Sequence, residues 1–311
     1  MSFKRCLMLT TAATAVTLFA NGVFADVTVE TKYGPVTVKD DVKTIVTLHE
    51  GALDVMSAIN FPVAGSVATR GSETVSDYLA DRQPNIHIVG SARETNLEAV
   101  IKEQPDVILA SNTLSKEQYL ILSKIAPTIV PEWSFDTPNA WRKEAALFGI
   151  VTGKSAEVEQ ALHAVDTRAA EIKKKVEQTI PADERQVYIA RWMPQGPMVM
   201  SKDLFAGSLL AQTGFEPQDG GLLKQGRPHS SILSLENIGV IDQDWLIMAT
   251  LNKDGQEAFD AAKQSSAFSR LNVVQSNHVQ TVDGQVWSST SGPLAAQVVL
   301  DDIEQLLDQQ H

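Results

Sequence analysis

The chain has 311 residues, with 26 Lys or Arg against 38 Asp or Glu and a formal net charge of −12. That balance argues against nucleic acid as a partner, which wants a basic face. It also leaves any anionic ligand to be held by a local cluster of arginines against an unfavourable overall field.

Lys4 and Arg5 precede an apolar run, rich in Ala and Thr, from Leu7 to Ala20, and Val23-Phe24-Ala25 offers small or compact residues before Asp26. This is the layout of a secretory signal peptide cleaved after Ala25. The run is shorter than the ~20 apolar residues a membrane anchor needs. Cys6, the one cysteine, lies before the run, so it is not placed for lipidation. Processing leaves a chain without cysteine, which rules out disulfides and thiol catalysis. An exported chain without a lipid fits a Gram-negative periplasm, with full secretion as the alternative. Loss of Lys4 and Arg5 takes the mature charge to −14, and the remaining 286 or so residues suffice for two lobes.

In chain order, 44–48 reads as a strand, 50–59 as a helix, 63–67 and 86–89 as strands, and 97–102 as a helix. A strand over 107–110, a helix over 115–125 and a strand over 128–130 follow. This alternation implies βα units and a largely parallel sheet. A helix over 139–151 stops at Gly153. Ser155 then starts a helix that runs to about residue 178, before Pro181. At ~1.5 Å per residue it would reach ~35 Å, enough to bridge two bodies, although an ordinary surface helix also fits its charged face. Beyond Pro181, strands are expected at 187–190, 245–249 and 279–282. Helices are expected at 204–213, 234–241, 255–264 and 267–271, and a closing helix begins at Pro293.

One internal echo supports two similar lobes. Asn96-Leu97-Glu98 precedes Asp106-Val107-Ile108, and Ser234-Leu235-Glu236 precedes Asp244-Trp245-Leu246; Glu98 and Glu236 each lie eight residues before the aspartate.

The block Val89-Gly90-Ser91-Ala92-Arg93-Glu94-Thr95-Asn96-Leu97-Glu98, followed by Pro105-Asp106-Val107-Ile108, resembles the signature of periplasmic binding proteins that serve iron(III)–siderophore and vitamin B12 ABC importers. The similarity runs from the opening strand through Ala206-Gly207-Ser208-Leu209-Leu210 to the closing helix. It implies an α/β fold of two Rossmann-like lobes joined by a single long helix, with a ligand cleft between them. The corresponding division is a signal peptide over 1–25, an N-terminal lobe over 26–154, a linking helix over 155–180 and a C-terminal lobe over 181–311. The implied function is capture of an Fe(III)–siderophore and delivery, as a periplasmic monomer, to an inner-membrane ABC permease dimer. The chelate is then the ligand; no cofactor and no catalysis are expected.

A siderophore brings its own hard oxygen ligands for iron, so the protein needs hydrogen-bond donors rather than metal ligands. Arginine suits this, because its planar fork reaches two oxygens at once. Arg93 matches a ligand-contacting arginine of the family's hydroxamate and citrate branches. Arg191 ends the first strand of the C-terminal lobe, and Arg227 and Arg70 lie in loops. Trp287, read in a loop before the closing helix, resembles a cleft tryptophan of the hydroxamate branch. Trp192 adjoins Arg191, and core packing is the competing reading for both indoles. His49 ends the first strand and could face the cleft. His229 falls one residue from a position where some catecholate-binding members place an iron-ligating histidine. The tyrosine that accompanies it there is missing from Trp287-Ser288-Ser289-Thr290-Ser291, so a hydrogen-bonding role is expected and no metal ligand is assigned. Glu98 and Glu236 match the glutamates that dock each lobe to the permease; the plainer reading is a carboxylate that suits a helix N-terminus.

Enzyme signatures were not found. Thr152-Gly153-Lys154-Ser155 imitates the end of a phosphate loop, but Phe148 stands where the first glycine belongs. His49-Glu50 has no second histidine of a zinc-protease helix, and no G-x-S-x-G elbow occurs. A haem or cobalamin carrier of the same fold is the main alternative, and a periplasmic hydrolase a distant one.

Overall fold

The computed structural model describes residues 26–309. The basic n-region, the apolar run, Cys6, the Ala25 junction and His311 lie outside them. Among the described residues no helix is long and apolar enough to cross a membrane.

The N-terminal half opens with an antiparallel hairpin of β1 (Val27–Val29) and β2 (Val36–Val38). Its turn is closed by the Thr31 hydroxyl, which donates to the Gly34 carbonyl at 2.7 Å. Then come β3 (Ile45–Thr47), α1 (Glu50–Ala58), β4 (Gly65–Ser66), α2 (Asp77–Ala80), β5 (His87–Ile88) and α3 (Leu97–Lys102). The half ends with β6 (Val107–Leu109), α4 (Lys116–Leu122), β7 (Thr128–Ile129) and α5 (Ala140–Val151). The strands β3 to β7 form one parallel sheet in the order β5-β4-β3-β6-β7. Every residue of β3 and β6 is buried, as a parallel sheet covered on both faces requires. The strand order reverses between β3 and β6, and a crevice opens there at the carboxyl ends of the strands.

α6 (Ser155–Thr179) has 25 residues and spans about 38 Å. Its buried side chains, Val158, Val165, Ala169, Ile172 and Val176, form one stripe at helical spacing. Val158 sits in the core that holds Ile45 and Leu53, whereas Val165 to Val176 sit in the core that holds Val187 and Trp245. The helix therefore runs from one core into the other.

The C-terminal half comprises β8 (Gln186–Met193), β9 (Gly196–Val199), α7 (Phe205–Gln212), β10 (Glu216–Gln218), a 3₁₀ segment (Leu235–Ile241) and β11 (Trp245–Thr250). It continues with α8 (Lys253–Lys263), α9 (Ser266–Ser269), α10 (Asn272–Gln275), β12 (Val279–Asp283), α11 (Gly284–Ser289) and α12 (Pro293–Asp308). β10, β8, β11 and β12 are parallel in that order, and β9 pairs antiparallel with the outer part of β8. α12 packs on α6, where Arg168 meets Asp301 and Glu304 at 2.5 Å each and Lys175 meets Glu304 at 2.7 Å.

The echo read in the sequence has a shared structural role. Asp106 Oδ2 accepts the backbone amides of Lys43 and Thr44, at 2.9 and 2.8 Å, and so ties the entry of β6 to that of β3. Asp244 Oδ2 accepts the Gln186 amide at 2.9 Å and ties the entry of β11 to that of β8. The segments before them differ. Asn96 caps α3 by accepting the Ala99 amide at 3.1 Å, whereas Ser234 makes no side-chain cap and its segment winds as 3₁₀, not as the expected α-helix. Trp287 also lies in a helix rather than a loop: Asp283 accepts the Gln285 amide at 2.8 Å and starts α11.

Candidate functional site

The crevices of the two sheets face one cleft of about 620 Å³. The N-terminal wall comes from the segments that leave β3, β4 and β6 and from the first turn of α5. The C-terminal wall comes from Arg191 on β8, the approach to α7, Pro228-His229, and the end of α11.

Arg191 is 4% exposed and has no acidic partner among the described residues. Its Nη2 lies 3.2 Å from Met198 Sδ, and its Nε has no hydrogen-bond partner. Burial, with repulsion from Arg70 behind it, lowers the guanidinium to about 10, so it is still charged at neutral pH. A charge held this way is costly to bury without a partner.

Arg70 lines the opposite wall and is exposed. Its loop is fixed by Glu50 in the first turn of α1. Glu50 Oε1 accepts the Arg70 amide at 2.9 Å and Oε2 accepts the Thr69 hydroxyl at 2.7 Å. Burial raises the Glu50 carboxyl above the usual range, and those two bonds oppose the rise. Glu50 is thus a positioning residue for Arg70.

His49 stands at the N-cap position of α1 without a side-chain capping bond, and its Nε2 lies 3.5 Å from Glu144 Oε2 of α5. Burial lowers its pKa, but the bond and charge of Glu144, with the charge of Glu50, outweigh burial and leave it above 6.5. Gly51 makes room: a Cβ there would lie 2.7 Å from His49 Nε2 and 2.5 Å from Ser291 Oγ. His229 lines the far wall, with Nδ1 2.8 Å from the Ser230 carbonyl.

The remaining expected residues scatter. Trp287 lines the cleft with its edge while its ring sits in the core, 2% exposed, and its Nε1 donates to Asp302 Oδ2 at 2.6 Å. Trp192 does not line the cleft. It packs against Phe259 and Phe268 behind the sheet, at ring distances of 5.2 and 6.1 Å. Adjacent residues on a strand face opposite sides, so β8 cannot aim both Arg191 and Trp192 at the cleft. Arg93 and Arg227 are exposed beside the cleft, where their neighbours Ala92 and Pro228 line it and they themselves do not. Glu98 and Glu236 are exposed, in the first turns of α3 and of the 3₁₀ segment, away from the cleft.

Several cleft residues carried no sequence signal: Glu50, Glu144, Lys202, Ser289 and Trp141. Trp141 lies in the first turn of α5, inside a pattern that any core helix shows. Its ring meets Phe205 of α7 edge-on at 5.3 Å. Among the described residues, no three His, Cys, Asp or Glu side chains are grouped to hold a metal ion.

Residues 45–286 match the family described as "Periplasmic binding protein". The chain belongs to that family. It is therefore an exported solute-binding protein and not an enzyme. This binding protein is 27% identical to the "Probable siderophore-binding lipoprotein YfiY" of Bacillus subtilis (strain 168), over 84% of the chain and 81% of the relative. It is 22% identical to the "Fe(3+) dicitrate-binding periplasmic protein FecB" of Escherichia coli (strain K12), over 91% of each. Its fold matches that of Staphylococcus aureus SirA complexed with staphyloferrin B, with a TM-score of 0.76 at 22% identity, over 91% of this chain and 98% of that one.

Proposed function

We propose that this binding protein captures an Fe(III)–siderophore complex in the cleft and carries it to an inner-membrane ABC permease. The buried, unpaired guanidinium of Arg191 carries the reading. Charge without a partner, with Arg70 opposite, suits an anionic chelate whose outer oxygens accept hydrogen bonds. The names of the relatives support the same cargo class. The iron is cargo and arrives already ligated by hard oxygens, so the protein adds no ligand and no cofactor. Arg93 and Arg227, exposed beside the cleft, would meet the periphery of a large chelate. Glu98 and Glu236 would dock one half each on the permease dimer, and the protein would act as a periplasmic monomer after cleavage at Ala25.

Intrinsic tryptophan fluorescence tests the cargo, because Trp141 and Trp287 both line the cleft. Submicromolar ferric citrate, a ferric hydroxamate or a ferric catecholate should quench it. Silence across that panel, with haem or cobalamin bound instead, would sink the reading.

A further inference from the structure

Among the described residues, three buried side-chain polar atoms have no hydrogen-bond partner: Trp141 Nε1, Arg191 Nε and Ser289 Oγ. All three belong to residues that line the cleft. Among the described residues that do not line the cleft no such atom is found, although many buried polar side chains lie there. An unpaired buried donor costs stability, so three gathered at one place mark groups held ready for something else.

The donors come from separate parts of the chain: the first turn of α5, the outer end of β8, and the last residue of α11. The indole and the guanidinium can only donate, and the seryl hydroxyl can donate. Their complement is a set of acceptor oxygens. The indole is also fixed in orientation. Phe205 meets its ring at 89°, and the Arg142 guanidinium carbon lies 4.4 Å over it. Arg142 is held in turn by Asp166 at 2.6 Å and Gln212 at 3.2 Å. Trp141 cannot turn to find another acceptor.

The walls speak to the kind of oxygen. A catecholate would want open aromatic faces to stack on. The cleft instead buries its indoles, with Trp141 6% and Trp287 2% exposed, and Phe135 is the one half-exposed Phe, Tyr or Trp ring in its lining among the described residues. What its lining holds is an indole N–H and a guanidinium N–H that are both buried and without partners, donors that suit the dense acceptors of a carboxylate.

Resting on the cargo reading above, we propose that Trp141 and Ser289 act with Arg191 as a donor set for chelator carboxylates, and that Trp141 is the residue that sets preference for carboxylate-type chelates. The indole of Trp141, from the N-terminal half, lies against Phe205 of the C-terminal half. The donors therefore sit on the seam between the halves, and a small parting of the seam admits the cargo oxygens to them.

The test removes the N–H and keeps an aromatic ring. Isothermal titration of the wild type, Trp141→Phe and Ser289→Ala would use ferric citrate, a ferric trihydroxamate and a ferric tricatecholate. The wild type should prefer ferric citrate, and Trp141→Phe should weaken that complex by about tenfold, the worth of one hydrogen bond to a charged acceptor. Ser289→Ala should shift it in the same direction. Both variants should lose less affinity for the other two chelates than for ferric citrate. The melting temperature of the free Trp141→Phe protein should fall by no more than a few degrees, because loss of the unpaired donor offsets part of the cost of the smaller ring. Unchanged affinity for ferric citrate, an equal loss for all three chelates, or a fall in melting temperature without loss of binding would overturn the donor set. So would a wild type that binds the catecholate and not citrate, while leaving the cargo reading intact. A wild type that binds no member of the panel would remove the cargo reading and the donor set with it.

Discussion

The carboxylate of Asp54, on α1, accepts the backbone amide of Ala295, on α12, at 2.7 Å. The Leu294 amide donates to its other oxygen at 3.0 Å, and the Tyr78 hydroxyl adds a third bond at 2.9 Å. Asp54 thus caps, from the N-terminal half, a helix whose body lies in the C-terminal core. The fit is close: Gly292 has φ +128°, and a Cβ there would run into the Asp54 side chain. Tyr78 lies 3.4 Å from the Thr290 hydroxyl as well, so it spans the same junction. The chain crosses between the halves through α6, but this buried cap holds them together at a second place. A carrier fastened at two helices should move by small rocking rather than by wide closure.

Removing the cap should therefore cost global stability. Asp54→Ala leaves two helix amides and the Tyr78 hydroxyl without a buried acceptor. Each orphan is worth about 1–3 kcal/mol, with less than full additivity. A loss of roughly 3 kcal/mol in urea unfolding is expected. Asp54→Asn keeps one acceptor oxygen and should lose less. A loss below about half a kilocalorie per mole for the alanine variant, the level of an ordinary surface substitution, would show that the cap is not a structural junction.

The same carboxylate gives stability a pH dependence of definite sign. Burial raises Asp54 from 3.8 to about 7, against the opposing pull of its three donors. Between those values the folded state binds more protons than the unfolded chain, so stability falls as pH rises from about 4 to 7. His49, held above 6.5, adds the same sign: its contribution is present below 6.5 and is lost as pH rises through its folded value. Glu304, lowered by Lys175 and Arg168, acts the other way, and its contribution is lost only in acid, as pH falls below the usual glutamate range. Urea midpoints should therefore decline from pH 5 to pH 8. Asp54→Asn should flatten most of that decline. A wild-type midpoint that rises over this interval would contradict the assignment.

The parts of this structure that could be read from the sequence are those set by runs of neighbouring residues. Ile45–Thr47, Val107–Leu109 and Trp245–Thr250 are buried on both faces, so each reads as an unbroken apolar strand. α6 announces itself by length and charge. The hairpin of β1 and β2 went unread because each strand has three residues and takes its stability from partners far along the chain. Tyr33, at its tip, donates to the Leu114 carbonyl at 2.5 Å, and Lys32 donates to the Asn112 carbonyl at the same distance, which braces the cleft loop after β6. The cleft was legible only in part. Arg191 stood out because an arginine ends an apolar strand. Trp192 beside it was misplaced, although the period of a strand already forbids both from sharing a face. Trp141 and Ser289 left no trace, since what distinguishes them is the lack of a partner, a property of the folded molecule.

Arg191 itself should show opposite effects on stability and on binding. Its buried charge lacks a counter-ion among the described residues, so replacing it with an apolar side chain of similar reach relieves a desolvation cost. Arg191→Met should raise the stability of the free protein by about 1–2 kcal/mol. The same change should weaken ferric-chelate binding at least roughly 30-fold, as expected when one side of a buried charge pair is truncated. Chemical denaturation and calorimetric titration of one preparation would read both. A variant that is destabilised and still binds normally would place Arg191 among structural residues.

The docking role proposed for Glu98 and Glu236 makes a separate prediction, because neither lines the cleft. Both open a helical segment, and Asp106 and Asp244 fix equivalent strand entries behind them. Each half therefore offers one carboxylate in a related setting, which fits a two-fold partner better than a single site would. Exposed ion pairs are worth only about 0.2–1 kcal/mol apiece, so their value lies in orientation and encounter rate. Glu98→Ala and Glu236→Ala should each leave chelate affinity and melting temperature unchanged. In reconstituted vesicles each should slow iron uptake, and the double variant should slow it further, most clearly at low salt, where surface charges reach furthest. Transport at the wild-type rate by the double variant would remove both glutamates from the interface and leave them as carboxylates that suit the starts of their helices.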